Sequence, residues 1–550
     1  MFIFIKTRIF ISGFLFFLVF HLASNAQIAP HKYWVQFADK QHSDFSLDKP
    51  DEFLSLRAVE RREIYNIAYD SLDLPVSQYY CNTIQQLGGE ILLRSKWLNG
   101  VVVYTTDTTV LDTIRKLSFV KQLRHIRKKK LQTNTVSVVK SSFSSGFNTT
   151  YGQANRQITM LKGDFLHHLG YRGEHTLITI LDAGFTNADT IPALSAIFKD
   201  NRIVATKNFV NQNVSVFGRH SHGTAVLSTM AANEPYQMVG TAPNADFALA
   251  ITEDAYSEFV IEEYNWVRGL EFADSLGSKI VTTSLGYTQF DTSSQNHTYQ
   301  DMDGKTTIAA QGAHIAVEKG LLLLVAAANE GNSAWHYIAT PADAIDILAV
   351  GAVDSAGHYA SFSSTGPSVD GRVKPEVAAM GKQSTIIYPD GNIYQGNGTS
   401  FATPILCGLT ACLWEAFPRK TNLEIRDAIL KSSSQYEHPD SLLGYGIPDF
   451  QKAFSLLAGT NYLPDTTNPF VFYPNPFTKD FTLALFNYYS GKVDLQIYDT
   501  TGRLVLDEDL SNQAMQKIFY LHKLDTWHSG VYFVKLTIDK KTYSQKIIKQ

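Results

Sequence analysis

"TLITILDAGF", residues 176–185, is an almost unbroken apolar run that stops at a carboxylate and a glycine. A strand with one wet face alternates apolar and polar residues, and this run does not, so it reads as a strand buried on both faces. Similar runs recur in "RIVATKNF" (202–209), "ADFALAIT" (245–252), "KIVTTSL" (279–285), "LLLLVAAA" (321–328) and "DILAVGAV" (346–353), separated by helical stretches. Strands of this kind imply an α/β domain, a mainly parallel sheet covered by helices, over residues 155–458. Between two of them, Val260, Tyr264, Val267 and Leu270 recur at helical spacing and read as a core stripe rather than a binding surface.

The sequence changes character on both sides of this domain. Residues 1–26 carry Lys6 and Arg8, an apolar stretch and small residues at Ser24 and Ala26, which is the order of a cleaved signal peptide. Residues 27–133 alternate strand-like and helix-like pieces and read as a small α+β domain. A polar linker, 134–154, follows. After a second linker at 459–469, residues 470–550 hold only strand-like runs divided by turn signals, which suits a small β-sandwich.

Composition narrows the function classes. The 550-residue chain has a formal net charge of −4, so it offers no electrostatic footprint for nucleic acid. The one basic run, "RHIRKKK" (124–130), reads as a solvated charged segment or a processing-sensitive linker. Cys81, Cys407 and Cys412 are too few and too badly spaced for a disulfide framework, and no Cys/His spacing suits zinc.

Four element ends carry reactive groups. Asp182 closes the opening strand, His222 in "HSHGT" precedes a helical stretch, Asn329 follows a buried strand, and Ser400 lies in "GNGTSFATP" (396–404) at the start of an apolar helix. Taken singly, each has a plain structural role as a cap or turn residue. Together on one α/β domain, a carboxylate, an imidazole, a hydroxyl and an amide are what acyl transfer requires. Ser400 needs a base, and His222 is preferred over His220 because Gly223 lets the backbone approach closely at a helix start. Asp182 would orient the imidazole, while Asn329 and the Ser400 amide would donate to an oxyanion.

The chain order Asp, His, Ser, with "LDAGF", "HSHGT" and "NGTSFATP", resembles the subtilase family of serine endopeptidases. "SLG" (284–286), "AANEG" (327–331), "ASFSSTGP" (360–367), "KPEVAAMG" (374–381) and "GYGIPDF" (444–450) extend the likeness over most of the α/β domain. The resemblance implies hydrolysis of protein and peptide substrates through an acyl-enzyme, with no cofactor in the chemistry. It also implies a substrate pocket walled by Ser284, Leu285, Gly286 and Ala328. Ala328 stands where the family usually has glycine, as does Tyr287, and Met380 replaces a usual proline. A narrowed pocket is therefore expected, with Tyr287 either capping it or pointing to solvent. Structural calcium stays open: "DMDG" (301–304) reads as an ordinary turn, with a calcium loop as the alternative.

Residues 27–133 resemble a subtilase propeptide, which implies an inhibitor of the same chain. The tail, with "YPNP" (473–476) and "SGVYFVKL" (529–536), resembles the sorting domain of type IX secretion. That implies the type IX machinery as a partner, passage through the periplasm, and a monomer that ends secreted or attached to the cell surface. A catalytically inactive adhesion or binding protein on the same fold is the competing reading. A lipase or esterase would favour a G-x-S-x-G elbow and the order Ser, Asp, His, and neither is present.

Overall fold

A computed structural model describes residues 31–126, 138–140, 149–459, 469–487, 489, 491–511, 517–522 and 524–550. The signal-peptide segment, most of both linkers and residues 127–130 of the basic run lie outside them. Among the described residues no helix is long and apolar enough to cross a membrane.

The N-terminal domain runs β1 (Lys32–Phe37), α1 (Leu56–Ile64), α2 (Gln78–Gln86), β2 (Glu90–Ser95), β3 (Gly100–Tyr104), α3 (Thr108–Arg115) and β4 (Val120–Ile126). Its helices start where a side chain accepts an orphan N–H: Ser55 caps α1, Ser77 caps α2 and Asp107 caps α3. The strands form an antiparallel sheet in the order β2-β3-β1-β4. Strand periodicity splits the apolar residues between its faces. Val35, Phe37, Val101 and Val103 pack on Tyr80, Ile84 and Ile114 of its own helices, whereas Trp34, Val102 and Ile126 cluster with Phe259, Ile261 and Tyr264 of the next domain.

Within the segment read as a polar linker, β5 (Val138–Lys140) is a strand. The central domain then proceeds through α4 (Asn155–Thr159), α5 (Gly163–Leu169), β6 (Leu177–Asp182), α6 (Ser195–Lys199), β7 (Ile203–Asn208) and α7 (His222–Ala231). A two-residue hairpin pair, β8 (Asn233–Glu234) and β9 (Met238–Val239), leads to β10 (Asp246–Ile251), α8 (Ile261–Leu276), β11 (Ile280–Thr283), α9 (Ile308–Glu318) and β12 (Leu322–Ala326). After these come β13 (Leu348–Val353), β14 (Val377–Met380), β15 (Ser384–Ile387), β16 (Ile393–Gly396), α10 (Thr399–Ala416), α11 (Asn422–Ser432) and α12 (Phe450–Ala458). The seven-stranded sheet has the order β14-β13-β12-β11-β6-β10-β7, with every pairing parallel.

Both faces of this sheet are covered, as the unbroken apolar runs require. Ile178, Ile180, Leu322 and Leu324 point into one core with α7 and α10, and Leu181, Leu323 and Val325 into the other with α8 and α9. β7 is the exception: it is the sheet edge, and Val204 is exposed. The α8 stripe also divides. Val267 and Leu270 are core, but Tyr264 packs against Trp34 with ring centroids 4.6 Å apart, so that end of the stripe is the docking surface for the N-terminal domain.

The C-terminal domain comprises β17 (Phe470–Tyr473), β18 (Phe481–Leu485), β19 (Val493–Asp499), β20 (Leu504–Asp509), β21 (Ile518–Leu521), β22 (Gly530–Ile538) and β23 (Lys541–Lys549). They form two antiparallel sheets, β17-β18-β21 and β20-β19-β22-β23, around a shared core that includes Phe472, Leu483, Leu495 and Val534. All three cysteines are buried and free. Asp303 of "DMDG" caps its own turn, accepting the N–H groups of Lys305 and Thr306 at 2.8 Å.

Candidate active site

The carboxyl ends of the parallel strands carry the expected groups, where an open α/β sheet places its sites. Asp182 is the last residue of β6 and is fully buried. His222 is the first residue of α7, and its Nδ1 lies 3.0 Å from both carboxylate oxygens of Asp182. Two glycines permit this approach: the Gly223 N–H donates to the Gly184 carbonyl at 2.9 Å. A Cβ on Gly184 would lie 2.5 Å from the His220 nitrogen, and one on Gly223 only 2.6 Å from the Gly184 oxygen. His220 accepts from the His222 backbone N–H at 3.3 Å, so it supports the turn into α7.

Burial works to lower the His222 pKa, but the charge of Asp182 and its hydrogen bond outweigh that and raise it above the ordinary 6.5. His220 moves the other way, lowered by burial and by the neighbouring His222.

Ser400 is not a cap. α10 begins at Thr399 with Gly398 as its N-cap residue, and Ser400 occupies the second helical position, 6 % exposed. A proline four residues on removes the N–H that would bond the Ser400 carbonyl, since Pro404 lies inside the helix. The Ser284 hydroxyl fills the vacancy, donating to that carbonyl at 2.9 Å. The "SLG" segment is thereby tied to the serine it flanks. The ring of Phe401, next along α10, lies 6.2 Å from the His222 ring, so the imidazole is near the first turn of α10.

Asn329 is exposed and its amide is oriented. Its Oδ1 accepts from the Thr399 N–H at 2.9 Å and from the Thr399 hydroxyl at 3.1 Å, which turns Nδ2 outward. A Cβ on Gly398 would lie 3.7 Å from both Asn329 Nδ2 and Ser400 Cβ, so a bare glycine keeps the notch between them open. The two segments expected to wall a pocket lie close together: a Cβ on Gly286 would be 3.0 Å from Ala339 Cβ and 3.9 Å from Ala328 Cβ. Leu285 is buried in the core behind them.

Two residues depart from expectation. Ala328 has φ 87°, a left-handed conformation that suits glycine, and the surrounding hydrogen bonds hold it there. Its carbonyl accepts from the Ser364 N–H at 2.9 Å, and the Glu330 N–H donates to the Ser364 hydroxyl at 3.0 Å. Tyr287 does not point to solvent; it is completely buried, and its N–H donates to the Thr340 carbonyl at 2.8 Å. The sequence also gave no sign of β5, which pairs antiparallel with β16, the strand leading into Gly398 and Ser400. Among the described residues no group of three or more His, Cys, Asp or Glu side chains is arranged to hold a metal ion.

A parallel α/β domain with a carboxylate-bound imidazole at a strand end and a serine in the first turn of a helix suits the class of serine hydrolases. Residues 173–446 match the model of the subtilase family, residues 32–141 a peptidase S8 propeptide domain of Bacteroidota, and residues 471–550 a secretion system C-terminal sorting domain. The chain is 30 % identical over 303 residues to a subtilisin of Bacillus pumilus, spanning 54 % of this chain and 97 % of that one. It is 29 % identical to subtilisin E of Bacillus subtilis (strain 168) over 303 residues, covering 54 % and 70 % of the two chains. A thermostable alkaline protease of Halalkalibacterium halodurans is 28 % identical over 291 residues, 53 % of this chain and 70 % of that one. The chain belongs to the subtilase family and is a subtilisin-like serine endopeptidase, with a propeptide domain before the protease and a type IX sorting domain after it. The sorting domain marks it as secreted or attached to the cell surface.

Proposed function

We propose that Ser400 is the nucleophile of peptide-bond hydrolysis, His222 its general base and acid, and Asp182 the group that orients and stabilises the imidazole. The observation that carries this is the bond from His222 Nδ1 to Asp182 at 3.0 Å, with the His222 ring 6.2 Å from that of Phe401, the neighbour of Ser400. Nδ1 carries the proton shared with Asp182, which leaves Nε2 unprotonated and able to take the Ser400 proton during attack. The Ser400 oxygen bonds to the substrate carbonyl carbon, and negative charge moves to the carbonyl oxygen. Asn329 Nδ2 and the Ser400 backbone N–H donate to that oxyanion, and the positive end of the α10 dipole adds to them. Collapse expels the amine with a proton from His222, leaving an acyl-enzyme that water hydrolyses by the same base. Ser284, Gly286 and Ala328 line the pocket for the residue before the scissile bond, and Leu285, expected to line it too, backs the wall from the core.

The domain bounds read from the sequence remain our assignment. Residues 27–133 act as an inhibitor until removed, the protease works as a monomer on protein or peptide substrates, and the tail engages the type IX machinery after passage through the periplasm. The chemistry requires no cofactor. Fluorophosphonate labelling tests the centre: the label is expected on Ser400, and Ser400→Ala is expected to abolish hydrolysis while keeping the fold. Label mapped to another residue, or turnover retained in Ser400→Ala, would refute the assignment. Asn329→Ala should reduce kcat by about 10²–10³.

A further inference from the structure

The short sheet that leads into Ser400 has two edges, and the chain closes them differently. Its strands lie in the order β15-β16-β5, and the middle one, β16, runs directly to Gly398 and the start of α10. On the β15 side, side chains of the protease take up backbone groups. The Thr385 N–H donates to Gln157 Oε1 of α4 at 2.9 Å, and the Ile387 N–H to the Ser228 hydroxyl of α7 at 2.9 Å. On the β16 side the cover is β5 itself, antiparallel, with Val138 opposite Gly396, Val139 opposite Gln395 and Lys140 opposite Tyr394.

By this pairing β5 belongs to the protease. The propeptide sheet is complete without it, in the order β2-β3-β1-β4, and its last strand ends at Ile126. The match to a propeptide domain nevertheless runs to residue 141 and so takes β5 in. From Thr150 the chain is held by the domain that holds β5: the Tyr236 N–H donates to the Thr150 carbonyl at 2.9 Å, and the Gln153 N–H to the Gln237 carbonyl at 2.9 Å.

β16 in turn packs on the catalytic groups. A Cβ on Gly396 would collide with the Phe401 ring, so strand and ring are in direct contact. Phe401 follows Ser400, its ring lies 6.2 Å from that of His222, and it clusters with Ile386 of β15 and Ala225 of α7. A shift of β16 is therefore passed to the first turn of α10. An uncovered edge here would have a second consequence, because unpaired strand groups beside a nucleophile are a template for any extended chain.

We propose that Val138–Lys140 is a strand of the mature protease, retained when the propeptide is removed, and that it positions the start of α10 by holding β16 in place. It acts through β16 and Phe401 as a positioning element. That role rests on the assignment of Ser400 as the nucleophile, whereas the retention of β5 does not.

Active enzyme secreted by the native host tests retention. Sequencing its N-terminus should give a chain that begins at or before Val138, and a chain that begins at any later residue overturns the proposal. On the same sample, amide exchange in β5 and β16 should be slowed together by about tenfold or more relative to unpaired backbone. Exchange of Val138–Lys140 at the unpaired rate overturns the pairing.

The positioning role is read with Val138→Pro/Val139→Pro. Successive residues of an antiparallel strand alternate in facing the partner, so the double change removes a ladder N–H whichever of the two faces β16. Well below the melting temperature, kcat and the rate of fluorophosphonate labelling at Ser400 should fall together by about tenfold, with KM changed by less than about twofold. Val138→Ile/Val139→Ile keeps both N–H groups and should match the wild type. Val138→Gly/Val139→Gly, which loosens the strand without removing a donor, gives the same reading if the proline variant does not fold. Labelling at the wild-type rate in these loosened variants overturns the positioning role. A wild-type enzyme that takes no label at Ser400 refutes the catalytic assignment instead, and the retention of β5 is still decided by the N-terminus and the exchange.

Discussion

At Ala328 one methyl group carries backbone strain and, in the proposed pocket, sets its width. A non-glycine residue at φ 87° costs about 1 kcal/mol relative to glycine, while glycine gives the unfolded chain a comparable entropic gain. Ala328→Gly should therefore change stability by less than about 1 kcal/mol, measurable by urea unfolding, so that any change in specificity reflects the pocket. Removing the methyl opposite Gly286 should shift preference toward larger residues before the scissile bond by about 1–3 kcal/mol. A peptide library that gives identical size preferences for both enzymes would show that Ala328 does not wall the pocket. In the proposed mechanism His222 sets the pH response. Only the neutral imidazole can accept the Ser400 proton, and Asp182 raises its pKa above 6.5 against the lowering effect of burial. The acid limb of kcat/KM should accordingly have its midpoint above 6.5, with activity lost as pH falls through it. A midpoint well below 6.5 would mean that a different group is titrating.

At the scale of elements, α8 joins the propeptide to the protease. Asp274 near its C-terminal end takes Arg61 at 2.5 Å, Arg62 at 2.8 Å and Lys96 at 3.0 Å, all from the propeptide domain and all buried. Burial would raise the Asp274 pKa, but these three cations overcome it and hold the carboxyl below its ordinary 3.8. The interface energy is thus fully present above the ordinary aspartate value and is lost as pH falls through the depressed one. Propeptide release should accelerate only in strong acid, not near neutrality. Asp274→Asn strands buried cations, costing about 3–5 kcal/mol and weakening propeptide binding by two or more orders of magnitude, which inhibition titration would detect. Unchanged inhibition would place the affinity in the Trp34–Tyr264 contact instead. This lock was not legible in the sequence, because its charges come from segments far apart along the chain. The sheet was legible, since strands buried on both faces leave unbroken apolar runs; Asp182 and Asn329 stood out as polar residues ending two of them, and His222 and Ser400 as polar residues opening helical stretches. β5 escaped notice because three residues in a polar stretch become a strand only through β16. Tyr287 stayed open between pocket and solvent because a tyrosine after "SLG" does not reveal what packs around its ring.

At the scale of the molecule, the sorting domain is docked rather than merely tethered. Tyr473 of β17 places its ring 5.1 Å from Phe417 and 4.9 Å from Phe454, and it belongs to the protease core cluster. Arg419 adds an exposed ion pair to Asp480 at 3.1 Å, which contributes little. Most apolar residues of the tail, including Phe472, Leu483 and Val534, close on one another, so the sandwich keeps its own core. Deleting residues 470–550 should therefore spare the parallel sheet and the catalytic constellation but uncover Phe417 and Phe454. The expected result is a folded, fluorophosphonate-reactive protease with a lower melting temperature than the full chain. Its destination should change more than its chemistry, because the deleted segment is the one that matches a secretion sorting domain. Fractionation of the native host should find the truncated protease retained inside the outer membrane, with little in the medium or on the surface. Release at the full-length level, with activity intact, would show that export does not depend on the tail and would leave the Tyr473 contact as its contribution to the protease.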